Sequence, residues 1–98
     1  MKHYQIRVFG KVQNVGFRFK TMEMAYKCGV MGFVKNEGGG VVFIEAEGEE
    51  PNMQRFLEWC KVGPLGARVA KTETTEGQVK NFTSFDIKNT ERMEEYED

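Results

Sequence analysis

Residues 10–18 read Gly-Lys-Val-Gln-Asn-Val-Gly-Phe-Arg, and the chemistry they offer is the binding of a small anion. The segment follows an alternating stretch, Tyr4-Gln5-Ile6-Arg7-Val8-Phe9, and runs into a helix-forming stretch that starts at Phe17. Where a strand turns through small residues into a helix, several backbone N–H groups point one way with no intrahelical acceptor. The helix dipole adds partial positive charge at the same end. Arg18 then sets a full positive charge in the first helical turn, where a cation costs about 0.3–1 kcal/mol unless an anion meets it. A phosphate in the loop turns that cost into an attraction, because the guanidinium fork can grip two of its oxygens. Gln13, Asn14, Val15, Gly16, Phe17 and Arg18 are therefore the expected phosphate-binding loop.

Asn36 is the second candidate. Its amide carries both donors and an acceptor, so it can hold a water while the water oxygen attacks. Other residues offer less. Gly38-Gly39-Gly40 joins two strand-like stretches and so reads as a turn, not a phosphate loop. Neither a GxxxxGK[ST] nor a GxGxxG pattern occurs. Glu45 and Glu47 sit two apart on one strand face and are expected to face solvent. His3, the single histidine, opens a strand with no evident partner and is taken as structural. A site of arginine, asparagine and amides, with no nucleophile or general base, suits a substrate whose leaving group is already good.

These residues need elements to carry them. Strands are expected at about 3–9, 30–36, 41–47, 67–74 and 82–88. Helices are expected from Phe17 to Cys28, and from Pro51 to a stop at Gly63-Pro64. In the first helix Met22, Ala25, Tyr26 and Gly29 make the apolar stripe; in the second Met53, Phe56, Leu57 and Cys60 do. The order strand-helix-strand-strand-helix-strand, with an added short strand, is the split βαβ, ferredoxin-like pattern of the α+β class. It implies a five-stranded, mainly antiparallel sheet with two helices on one face. In that layout the third strand lies between the first and second, whose carboxyl ends share one sheet edge. That places Asn36 near Arg18. The two helices run in opposite directions, which separates Cys28 from Cys60 and argues against a disulfide.

Composition narrows the function classes. Ninety-eight residues, 40% hydrophobic and 12% aromatic, fit one folded domain over residues 1–90. The net charge of −1 conceals a basic start: Lys2, Arg7, Lys11, Arg18 and Lys20 precede the first acid, Glu23. Residues 91–98 hold five acids and one base and read as a solvated, disordered tail. The basic residues are too sparse for a nucleic-acid footprint. No metal-ligand spacing, cofactor motif, signal peptide or membrane-length apolar run is present. The expectation is a cytoplasmic monomer without metal or cofactor, acting on a small molecule, with no nucleic-acid or membrane partner.

The pattern Gly10-Lys11-Val12-Gln13-Asn14-Val15-Gly16-Phe17-Arg18 resembles the signature of the acylphosphatases, and Gly32-Phe33-Val34-Lys35-Asn36 resembles their second block. Val41-Val42, Glu47-Gly48, Phe56, Trp59, Gly63-Pro64, Ala67, Val69 and Ser84-Phe85-Asp86-Ile87 extend the resemblance over about residues 3–89. The resemblance implies metal-independent hydrolysis of an acyl phosphate to a carboxylate and inorganic phosphate. It implies that Arg18 and the loop amides bind the phosphoryl group and that Asn36 orients the water. Asn14 stands where the family has glycine; if the position needs positive φ, asparagine is the best-tolerated substitute, at about 1 kcal/mol. Asn89 stands where the family often ends in an aromatic residue.

Two other readings follow from the same residues. One is a non-catalytic anion-binding module on this fold, which the Asn14 departure favours. The other is an RNA-binding ferredoxin-like domain, but the stretch Val41-Val42-Phe43-Ile44-Glu45-Ala46-Glu47 lacks the basic and aromatic alternation that base stacking uses. For the acidic tail, deletion of residues 91–98 is expected to change unfolding free energy by less than about 1 kcal/mol, as for a surface segment; a larger loss in denaturant titration would show that the tail docks.

Overall fold

Alternation in the first ten residues gives a strand with Ile6 and Val8 pointing into a fully buried core, and the rest of the chain is assembled around that face. The computed structural model of the chain describes residues 1–89, so the acidic segment 91–98 lies outside the described residues. The elements are β1 (Lys2–Lys11), α1 (Phe17–Cys28), β2 (Met31–Asn36), a short 3-10 turn (Gly38–Gly40), β3 (Val42–Gly48), α2 (Glu50–Val62), β4 (Arg68–Gly77) and β5 (Phe85–Ile87).

The sheet order is β4-β1-β3-β2-β5. β3 pairs antiparallel with both β1 and β2, β4 pairs antiparallel with β1, and only β2 and β5 run parallel. This is the expected α+β, ferredoxin-like arrangement, with β3 inserted between β1 and β2. Val42 pairs with Val8 on one side and with Asn36 on the other, so the three residues lie level across the sheet. Val34, Ile44 and Ala46 join Ile6 and Val8 in the core beneath the two helices.

The second helix buries Met53, Phe56 and Cys60 as its spacing predicts, with Leu57 partly covered. The first helix differs. It buries Phe17, Thr21, Ala25 and Cys28, whereas Tyr26 is exposed and Met22 only partly covered. The threonine is the reason: its hydroxyl donates to the Phe17 carbonyl at 2.7 Å, which lets a polar side chain occupy the inward face. The strand expected from residue 30 begins one residue later, because Val30 still donates to the Ala25 carbonyl as part of the left-handed Gly29 cap. Cys28 and Cys60 are both buried free thiols. Burial pushes the Cys60 thiol up, and the neighbouring Cys28 adds to the shift.

The largest departure from expectation lies on the sheet face opposite the helices. Glu45 and Glu47 do not face solvent; they are 7% and 2% exposed. His3, opposite Glu47 on the neighbouring strand, has two partners: Nδ1 lies 2.7 Å from Glu47 Oε2 and Nε2 lies 3.0 Å from Glu45 Oε1. Residues 78–83, expected in part as the last strand, instead cross this face as a strap. The amides of Lys80 and Phe82 donate to Glu47 at 2.8 and 2.6 Å, and the Lys80 ammonium donates to Glu45 at 2.9 Å. The Phe82 ring stacks over His3 with centroids 6.0 Å apart.

Burial raises the Glu47 carboxyl, but the Lys80 amide, the His3 ring and the Phe82 amide outweigh it and hold the group below its ordinary value of 4.5. A carboxyl lowered by folding stabilises the native state fully above that ordinary value and ceases to do so as pH falls through its folded value. Glu47→Gln is therefore expected to cost about 1–3 kcal/mol at neutral pH, the worth of a charged hydrogen-bond acceptor. It should also flatten the loss of stability expected below about pH 4.5 in thermal melts of the parent.

Candidate active site

The loop after β1 is prepared by a bulge. Between Phe9 and Gly10 the register with β4 slips, from Phe9 opposite Lys71 to Gly10 opposite Val69. Gly10 has φ 131°, and a Cβ there would lie 2.1 Å from the Arg68 carbonyl oxygen, so no other residue fits. The bulge bends the strand end, and Val12 and Phe17 then fix both ends of the loop by burial. The Phe17 ring packs against Trp59 of α2 at 5.5 Å between centroids.

Within those anchors the backbone turns twice through the left-handed region, at Asn14 (φ 61°) and Gly16 (φ 74°). Asn14 thus takes the conformation a glycine would take, which is why asparagine serves there. Gly16 is the residue before the helix, and no side chain caps it. The amides of Asn14, Val15, Gly16, Phe17 and Arg18 donate to no other described residue. With no acid in the first turn and Arg18 as its second residue, this helix start is positive and uncompensated.

Arg18, Asn14, Gly16 and Phe17 line a cleft of about 370 Å³ together with Asn36, and with Val12, Phe19, Ile87 and Asn89. The Arg18 guanidinium is oriented by one bond, Nη1 to the Lys88 carbonyl at 3.2 Å, which leaves its remaining N–H groups for a ligand. Asn36 is buried at the end of β2, and its side chain makes no hydrogen bond to the described residues. Arg18 is the one ionisable residue in the lining among the described residues. The arrangement can bind a dianion and hold a water against it; among the described residues it presents no carboxylate, imidazole or thiol to move a proton.

Two residues expected in the loop do not line the cleft. Gln13 turns its side chain to the β2–β3 hairpin, where Nε2 donates to the carbonyls of Glu37 and Val41, both at 2.9 Å. Val15 packs partly against the core. Gln13 thereby ties the loop to the hairpin that carries Asn36, and Arg7 holds the same hairpin through Glu37, its Nε 3.0 Å from Oε1. Phe19, Ile87 and Asn89 were not expected as site residues. Only the direct sequence link of Phe19 to Arg18 pointed to one of them.

With the geometry in place, comparison with known proteins is specific. The family model described as Acylphosphatase matches residues 4–87. This chain belongs to the acylphosphatase family. Membership makes it a hydrolase of acyl phosphates. Acylphosphatase of Archaeoglobus fulgidus is 41% identical over 83 residues, covering 85% of this chain and 93% of that one. Its counterpart in Thermotoga maritima is 43% identical over 88 residues, covering 90% and 98%. Among solved structures, the acylphosphatase of Bacillus subtilis superimposes with a TM-score of 0.87 at 38% identity, covering 90% of this chain and 99% of its own.

The left-handed backbone at Asn14 gives a direct check. Asn14→Gly is expected to keep the fold and change stability by no more than about 1 kcal/mol, since relief of strain and a freer unfolded chain oppose each other. Asn14→Val, β-branched at positive φ, is expected to lose more than about 1 kcal/mol in chemical denaturation. Equal stability for the two variants would show that the loop does not hold this conformation.

Proposed function

We propose that this cleft hydrolyses acyl phosphates at phosphorus without a metal, with the amides of residues 14–18 and the Arg18 fork holding the phosphoryl group and Asn36 orienting the water. The observation that carries this reading is the meeting of unpartnered amides, one arginine and one buried asparagine in a single cleft. Charge stabilisation and positioning are what such a set supplies.

The water oxygen forms a bond to phosphorus as the bond from phosphorus to the acyl oxygen breaks. The electron pair of that bond leaves with the carboxylate. A dianionic acyl phosphate and water become a carboxylate and dihydrogen phosphate, so both water protons can stay on the phosphate product. The substrate therefore takes the proton that a general base would otherwise accept, and a carboxylate needs no acid to depart. Arg18 and the amides balance the charge gathering on the phosphoryl oxygens. Inorganic phosphate, the product, should occupy the same cradle as an inhibitor. We read residues 1–90 as a catalytic unit that works as a monomer in the cytoplasm; no helix among the described residues is long and apolar enough to cross a membrane.

The test is hydrolysis of acetyl phosphate by the purified protein in excess chelator. Activity should persist. Arg18→Gln should lower kcat/KM by about 100-fold or more, the usual loss when one such charge-stabilising donor goes. Asn36→Ala should lower kcat more than it changes KM. Variants as fast as the parent would overturn the assignment. Phosphate binding at Arg18 with no turnover by the parent would make this an anion-binding module instead.

A further inference from the structure

We propose that Phe19 and Ile87 form the acyl-binding rim of the cleft and make the protein selective for bulky, uncharged acyl groups, aromatic ones above all, over acetyl. The inference rests on the function just proposed and names the part of the substrate that Arg18 and Asn36 leave unrecognised.

Seven large apolar residues stand exposed among the described residues, and just two of them, Phe19 at 54% and Ile87 at 39%, line the cleft. Each is next in the chain to a group at the guanidinium's anchorage: Phe19 to Arg18 itself, Ile87 to Lys88. Phe19 follows Arg18 in the first turn of α1. Ile87 ends β5, and the next carbonyl, that of Lys88, accepts the Arg18 Nη1 bond at 3.2 Å. Lys88 in turn donates to the Val34 carbonyl at 2.9 Å, so this side of the rim is pinned to the sheet. The other apolar lining residues, Val12 and Phe17, are fully buried and belong to the floor. Exposed apolar surface from Phe19 and Ile87 thus stands beside the polar loop, with Asn89 the polar neighbour of Ile87.

The volume agrees with that division. A cleft of about 370 Å³ falls in the roughly 300–1,000 Å³ range of sites that enclose a small organic ligand, not an isolated ion. The phosphoryl group takes the loop end, and an acetyl group cannot cover two exposed side chains at the mouth. A phenyl or branched aliphatic group can, and it removes their surface from water. Charge points the same way. Arg18, the sole cation in the lining among the described residues, is engaged by the phosphoryl group, so a carboxylated acyl group would find no second partner among them.

The experiment compares kcat/KM for benzoyl phosphate and acetyl phosphate in the parent, Phe19→Ala, Phe19→Leu and Ile87→Ala. The parent should favour benzoyl phosphate. Phe19→Ala should lower the ratio by about tenfold, the lower end of what a lost apolar contact yields in a pocket, with Ile87→Ala smaller and Phe19→Leu intermediate. Affinities of benzoylphosphonate and acetylphosphonate, which cannot be hydrolysed at the P–C bond, should follow the same order. A parent that turns over both substrates, with ratios unchanged within twofold in all three variants, overturns the rim and leaves the catalytic assignment standing. A parent that turns over neither substrate overturns both.

Discussion

β1 and β2 each pair antiparallel with β3, so they run parallel with one strand between them, and their carboxyl ends leave the sheet about 10 Å apart. Everything at the site depends on that spacing. It is close enough for the loop leaving β1 and the asparagine ending β2 to face one ligand, and wide enough to leave a cleft between them. The ladder of Val8, Val42 and Asn36 fixes the level of one side against the other. A one-residue slip of β2 would turn Asn36 to the opposite face. Gln13 and Glu37 add a second tie, outside the sheet, between the same two ends.

The loop itself is held against its own preferences. It contains a bulge that only Gly10 can make, a non-glycine residue in the left-handed region, and an arginine at the wrong end of a helix dipole. Each costs on the order of 1 kcal/mol or less. Burial of Val12 and Phe17 at either end offsets them, since one fully buried side chain of that kind contributes about 1.5–3 kcal/mol. The outer face contributes to the same purpose at a distance. The strap over His3, Glu45 and Glu47 lies just before β5, and β5 leads to the Lys88 carbonyl that orients Arg18.

How much of this was legible in the sequence differs from feature to feature. The place of β3 between β1 and β2, and with it the pairing of the loop with Asn36, followed from element order alone, because the split βαβ topology leaves few other arrangements. The Phe17 start and Cys28 end of α1 were legible because glycines flank them both. Its buried stripe was not, since Thr21 reads as polar until its hydroxyl is seen to bond within the helix. Glu45 and Glu47 read as solvated because their burial depends on a strap without periodicity, which brings the Lys80 and Phe82 amides to Glu47 and the Lys80 ammonium to Glu45. Ile87 was hidden for a related reason: its place at the mouth is set by where β5 pairs, not by what precedes it in the chain.

The cleft's composition also limits which phosphate compounds it can cleave. Among the described residues Arg18 is its only ionisable lining residue, and both cysteines are buried away in the core, with the Cys60 thiol pushed up by burial. An ordinary phosphate ester releases an alkoxide, which must be protonated as it leaves, and no lining group among the described residues can give that proton. A carboxylate departs unprotonated. The site's economy of groups and its substrate class are therefore one constraint seen from two sides. What such a reaction asks of a protein is charge stabilisation and positioning more than proton transfer, and the strained loop offers a positive cradle beside Asn36 at the shared sheet edge.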